Sequence, residues 1–369
     1  MNVFKYGCSV DGENFCPRLQ LSKSLRTYVT SGQNLVIQGE RRIGKTSLIK
    51  ETVSSMRGWS MVYADFMGVR SVSDVCNRLV DALARFDSSD TFLRKILTAL
   101  LHLRPVATVD AMTGLPTVTV DTRASADPAS VNTVMNALET HVKNRKVCVV
   151  FDEFQDILEV GDGEQVLALM RSRIQFMPRT AFVFLGSSRN RMLDIFMSPK
   201  SPFYKSAALF DVGMIPDDDF FAFAVERFVT GRRKLPRELF DRVLSLVGRT
   251  SGDVQELCDA IWQVSEKGDV LTDEHLEQGV RLIFHREGAA YVTFIKPITD
   301  IPASFTPFRW RAASIRQRMR FLKRREFPMS HRLSERWLRS KRPASSICHL
   351  ANGSSSARSS VNGSAVGVK

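Results

Sequence analysis

The stretch LVIQGERRIGKTSLIK, Leu35 to Lys50, constrains this chain more than any other. Residues 39–46 fit the pattern G-x-x-x-x-G-K-[ST]. Leu35–Gln38 reads as a short apolar strand, and Thr46 to Met56 reads as a helix. In a strand, glycine-bounded loop and helix, backbone N–H groups turn inward around phosphate oxygens, and the helix points its positive end at the same place. On this reading Lys45 neutralises the β- and γ-phosphates, a catalytic as well as a binding role, and the Thr46 hydroxyl holds Mg²⁺. The cradle comprises Gly39, Arg42, Ile43, Gly44, Lys45, Thr46 and Ser47.

The rest of the chain supplies a sheet for this unit. MVYADFMG (Met61–Gly68) reads as a second strand, and SVSDVCNRLVDALARF follows with a serine start and apolar residues at helical spacing. Residues 91–103 read as an apolar helix. ATVDAMTGLPTVTVD reads as a hairpin turning at Thr113–Pro116, and Pro128 to Lys143 as a helix. KVCVVFDEF (Lys146–Phe154) and TAFVFLGSS (Thr180–Ser188) are two further buried strands. Apolar strands alternating with helices imply an α/β fold, a parallel sheet sandwiched by helices. From Pro216 to about Arg286 the pattern becomes purely helical, with breaks near Gly231, Thr250–Gly252 and Gly268. The expected domains are therefore 1–215 (α/β), 216–288 (a helical lid), 289–302 (a connector) and 303–369 (a basic tail of low order).

Two strand ends carry chemistry, because ligands of open α/β sheets bind beyond the carboxyl ends of strands. Asp152 fits a Mg²⁺ contact, and Glu153 fits the general base that polarises the attacking water. The second end, Gly186–Arg189, brings polar groups beside the γ-phosphate. Ser187 or Ser188 could sense that phosphate, and Arg189 or Arg191 could supply positive charge, in cis or to a neighbour. The six histidines share no ligand spacing. Asp217–Asp219 reads as a helix start, where negative charge is favourable, and Trp262 as packing.

The net charge of +13 is unevenly placed. After Pro302 there are 15 Lys and Arg against 2 Asp and Glu, so residues 1–302 balance at zero. An electrostatic case for nucleic acid rests on the tail alone. No apolar run reaches the ~20 residues a membrane span needs. The start lacks the build of a signal peptide, and the cysteines form no C-x-x-C pair, which fits a reduced, cytoplasmic protein.

These pieces, in order, resemble the archaeal-type P-loop ATPases within the broader AAA+/STAND grouping. The resemblance rests on NFCPRLQLSKSLRTYVTSGQNLVIQGERRIGKTSL, the acidic strand VVFDEFQDI, the segment FVFLGSSRNRMLDIFMSPKSPFYKSAALFDVGMI, and the lid-helix stretch TSGDVQELCDAIW. It covers about Asn14 to Arg286. It implies ATP and Mg²⁺ as cofactors, a conformational switch more than fast turnover, and a protein partner or self-association. Initiator-type relatives place an arginine in the lid helix two residues after Gly-Asp; Gln255 stands there in this chain, which points to slow hydrolysis. Two alternatives stay open: a nucleotide-controlled, DNA-associated loader of the initiator type, and a nucleotide-binding scaffold without catalysis.

The family usually continues into a winged helix, whereas residues 303–369 are rich in serine and arginine and lack stable periodicity. Back-translated one base earlier, HLANGSSSARSSVNGS permits the winged-helix-like reading SFGEWEFVSPVFRQWL. Two expectations follow for the tail: a genuine basic extension, or a remnant of a winged helix read out of frame from near Ile301–Thr306. In the second case DNA binding would belong only to the lost domain.

Overall fold

Leu35 and Ile37 of the first strand face one core, and Val36 between them faces another. All three are fully buried, because helices cover both faces of the sheet. The computed structural model of the chain describes residues 3–87, 105–109, 116–120 and 127–295. These residues lie in one unit, Met1–Trp310. The expected helix at 91–103, most of the hairpin turn and the basic tail lie outside the described residues.

In chain order the elements are α1 (Leu19–Thr30), β1 (Leu35–Gln38), α2 (Lys45–Ser54), β2 (Ser60–Asp65), α3 (Val72–Phe86), β3 (Pro105–Val109), β4 (Pro116–Val120), α4 (Pro128–Val142) and β5 (Val147–Asp152). A 3-10 turn (Phe154–Glu159) leads to α5 (Gly163–Ile174), β6 (Ala181–Leu185), α6 (Arg189–Met197) and β7 (Ala208–Asp211). The helical array follows: α7 (Asp217–Thr230), α8 (Arg237–Val247), α9 (Ser251–Val264) and α10 (Asp273–Ile295).

Five parallel strands run in the order β2-β5-β6-β1-β7, so β6 stands between the glycine-loop strand and the acidic strand. The sequence reading had no counterpart for β7. It is a four-residue edge strand with only Phe210 buried, too short for a period-2 signal. Helices α3, α4, α5 and α6 cover one face of the sheet, and α1 and α2 cover the other. β3 and β4 form a separate antiparallel ribbon, with Pro116 opening the second strand. Ser71 caps α3, exchanging hydrogen bonds with Asp74 in a capping box, as its serine start suggests. The break before α9 falls at Gly248, with φ 78°, and Gly252 lies inside the first turn of that helix.

An aromatic cluster anchors the end of β5. The ring of Phe154 lies 4.7 Å from Phe184, 5.5 Å from Phe203 and 5.9 Å from Phe151, measured between centroids. Because no void in a packed interior fills itself, Phe154→Ala is expected to destabilise the chain by about 3–5 kcal/mol. Urea unfolding checks this; a loss below ~1 kcal/mol would mean the cluster does not hold this strand end.

The N-terminal segment acts as a strap, which sequence periodicity does not show. Phe4 is buried against Phe228 of α7, with centroids 5.1 Å apart. The Val10 N–H donates to Ser47 Oγ at 3.0 Å, and the Gly12 N–H donates to the Glu51 carboxylate at 2.8 Å. Residues 3–18 thereby tie α2 to the helical array. Within that array Trp262 packs beside Phe228 at 5.8 Å, with the Arg233 guanidinium 4.0 Å from its ring. Among the described residues no helix is long and apolar enough to cross a membrane.

Candidate functional site

The loop between β1 and α2 closes tightly at two glycines. A Cβ on Gly39 would lie 3.0 Å from the Val212 carbonyl oxygen and closer still to the Ile43 side chain. Gly44, at φ 90°, is the N-cap of α2 in a left-handed conformation that glycine adopts without steric cost. The uncapped N–H groups of α2 therefore open toward the loop, which is the geometry of an anion site.

Lys45 is 7% exposed, and its ammonium donates to the carbonyls of Gly39 and Glu40, each at 2.9 Å. Burial lowers its pKa, opposed by the nearby Glu153 and Asp152 carboxylates. The Thr46 hydroxyl donates to Asp152 Oδ2 at 2.7 Å, joining residues 106 positions apart. The same oxygen accepts from the Tyr63 hydroxyl at 2.7 Å, and Oδ1 accepts from the Glu153 N–H at 2.9 Å. Asp152 is buried at the end of β5 and therefore needs these donors.

Glu153 leaves the strand in a left-handed conformation, φ 47° and ψ 39°, which is costly for a residue with a Cβ. That turn aims its carboxylate across β6. Its Oε2 accepts from Gln155 Nε2 at 2.6 Å and from Ser187 Oγ at 2.7 Å, with the Ser187 N–H at 3.3 Å. Ser187, expected beside a γ-phosphate, here donates its hydroxyl to Glu153.

The two arginine candidates separate. Arg191 pairs with Asp156 at 3.8 Å and with Glu159, both on the turn after Glu153. Arg189 opens α6 and is exposed. Arg42, at φ 68°, points its guanidinium at the lid: Nη1 lies 2.6 Å from Asp253, and Nη2 lies 3.2 Å from Glu256. Its carbonyl accepts from the Gly252 N–H at 3.1 Å and the Ser251 hydroxyl at 2.9 Å. Arg18, not singled out by sequence, donates to the carbonyls of Ile43 and Gly213; burial brings its pKa down to about 10. Gln255 is buried on α9, with no hydrogen-bond partner for Oε1.

Chemically, the site offers the uncapped N–H groups at the start of α2, a buried ammonium, and a hydroxyl beside a carboxylate. This set fits a polyphosphate with a hard divalent cation. Among the described residues no group of three or more His, Cys, Asp and Glu could hold a metal ion. A cation at Thr46 and Asp152 would therefore take its remaining oxygens from phosphate and water, as Mg²⁺ does. Arg18, Tyr63, Gln155, Asp253 and Glu256 were the residues missed. Tyr63 could not be found from the sequence, because its place depends on the parallel pairing of β2 with β5, which sets it opposite Val150, on the face shared with Asp152.

Comparison with known proteins gives the family and the fold. The profile of a family described as "ATPase domain predominantly from Archaea" matches residues 18–257. The fold is similar to that of the Walker-type ATPase PABY2304 of Pyrococcus abyssi, with TM-score 0.54 and 15% identity over 80% of each chain. It is also similar to the ORC1 protein of Aeropyrum pernix, solved in complex with DNA, with TM-score 0.52 and 12% identity over 79% of this chain and 71% of that one. No curated protein matches the chain.

Proposed function

The chain belongs to the family of ATPase domains found predominantly in Archaea, and on that premise we propose that it is an ATP-binding switch of the AAA+/STAND type that hydrolyses ATP slowly. Gly39, Ile43 and Gly44 shape the backbone donors around the phosphates, and Lys45 exchanges its loop carbonyls for phosphate oxygens. Thr46 and Asp152 would hold Mg²⁺, which supplies charge neutralisation at the β- and γ-phosphates. Glu153 takes the proton of the attacking water, and Ser187 positions it. Buried thiols at Cys76, Cys148 and Cys258, all free, suit a reduced, cytoplasmic setting.

The observation that carries the switch reading is the state of Glu153. Its Oε2 accepts from both Ser187 and Gln155, which holds the carboxylate across the strand ends until the site rearranges. A site that spends its base on internal hydrogen bonds turns over when something rearranges it, for which Arg42 and the lid acids are placed. Phosphate release at saturating ATP and Mg²⁺ is expected to be slower than ~1 s⁻¹, below the median of ~10 s⁻¹ for enzymes. Turnover at or above that median would replace the switch with an ordinary fast ATPase, and bound ATP that is never hydrolysed would favour a scaffold. The fold likeness to a protein solved on DNA motivates the loader alternative. Its support would be salt-dependent duplex binding by residues 1–302, which carry no net charge.

A further inference from the structure

We propose that Tyr63 is a positioning residue for the divalent cation: its hydroxyl holds Asp152 in the orientation that meets the cation beside Thr46. The proposal rests on the nucleotide reading above and extends it to a residue outside both motifs.

Three donors reach the Asp152 carboxylate. Thr46 Oγ1 and the Glu153 N–H belong to the motifs themselves, and both move with any change at the loop or at Glu153. Tyr63 comes from β2, a strand hydrogen-bonded to β5 along its whole length, from Ser60↔Val147 to Asp65↔Asp152. It is the donor whose position does not depend on phosphate binding. The sheet pleat fixes its direction: Tyr63 faces α2 together with Val150 and Asp152. On α2, Lys50 lies one turn beyond Thr46 and sets its ammonium 4.3 Å from the Tyr63 ring centroid. The same ammonium donates to Ser9 Oγ of the N-terminal strap at 3.0 Å. The ring is therefore clamped between strand and helix. An ordinary phenol is protonated at neutral pH, so the hydroxyl is a donor to the carboxylate.

Two hydroxyls share Asp152 Oδ2. Thr46 must offer a lone pair to the cation while keeping its proton on the carboxylate. That geometry would survive only if the carboxylate does not rotate, and Tyr63 is the restraint that comes from outside the two motifs. Partners that orient a metal ligand are typically worth ~10-fold or more in metal affinity.

The test uses the full chain and its Tyr63→Phe variant, which keeps the packed ring. A fluorescent ATP analogue is titrated in EDTA and then across Mg²⁺ concentrations, and unfolding of the ligand-free proteins is followed in parallel. The expected result is a Mg²⁺ half-saturation raised ~10-fold, with the affinity in EDTA unchanged. An unchanged Mg²⁺ half-saturation overturns the proposal. So does an equal loss of affinity with and without Mg²⁺, which would make Tyr63 a general brace. If the unmodified chain binds no analogue in either condition, the nucleotide reading itself fails, and the Tyr63 proposal falls with it.

Discussion

Replacing Lys45 with alanine is expected to weaken ATP binding by ~100-fold or more, since hydrogen bonds to charged groups carry about 1.5–3 kcal/mol each. The ammonium is a buried positive charge at the loop, and it donates to the Gly39 and Glu40 carbonyls. Phosphate oxygens are stronger acceptors than those carbonyls, and they arrive with negative charge. Alanine leaves the N–H groups of α2 to hold the polyphosphate alone. It also leaves two loop carbonyls without a donor, so the ligand-free loop is expected to loosen slightly. Lys45→Met, which keeps most of the side-chain volume, separates lost charge from lost packing. Isothermal titration with ATP and Mg²⁺ measures the effect in both variants. ATP affinity equal to that of the unmodified chain, in folded protein, would overturn the assignment of the loop.

Glu153→Gln is expected to retain ATP affinity while lowering hydrolysis by ~100-fold or more, the usual contribution of a positioned base. Glutamine is isosteric, and its carbonyl can still accept from Ser187 and Gln155, so the strand end should keep its shape. What it cannot do is take the proton of the attacking water. Single-turnover hydrolysis, measured beside equilibrium binding, separates the two effects. Retained hydrolysis would remove Glu153 from the role of base. Loss of binding would place the carboxylate in ligand positioning instead, through the hydrogen bond it accepts from Ser187.

Much of the site was legible in advance because its signals are local. The glycine spacing at Gly39 and Gly44 dictates backbone conformations within a few residues, and apolar runs such as Val147–Phe151 report burial on both faces of a strand. The acidic pair was legible because a strand end is a sequence feature. Edge strand β7 was not, since four residues with one buried side chain carry no period. Nor was the path after β5: the acidic pair was expected where the strand runs out, but not the turn of Glu153 into the left-handed region that reaches Ser187.

By itself the sequence determined a glycine-bounded loop between strand and helix, a covered parallel sheet, a helical C-terminal region and the position of the acidic pair at a strand end, because each follows from short-range periodicity or from backbone sterics. Only the tertiary structure decided which side chains meet. The Arg42 guanidinium closes on Asp253, 211 positions away, and the Tyr63 hydroxyl finds Asp152 across 89 positions. The N-terminal strap settles on Ser47 and Phe228. Such contacts depend on strand order and on the seating of the lid, which minimise exposed apolar area over the whole chain, and no local pattern records the outcome of that competition.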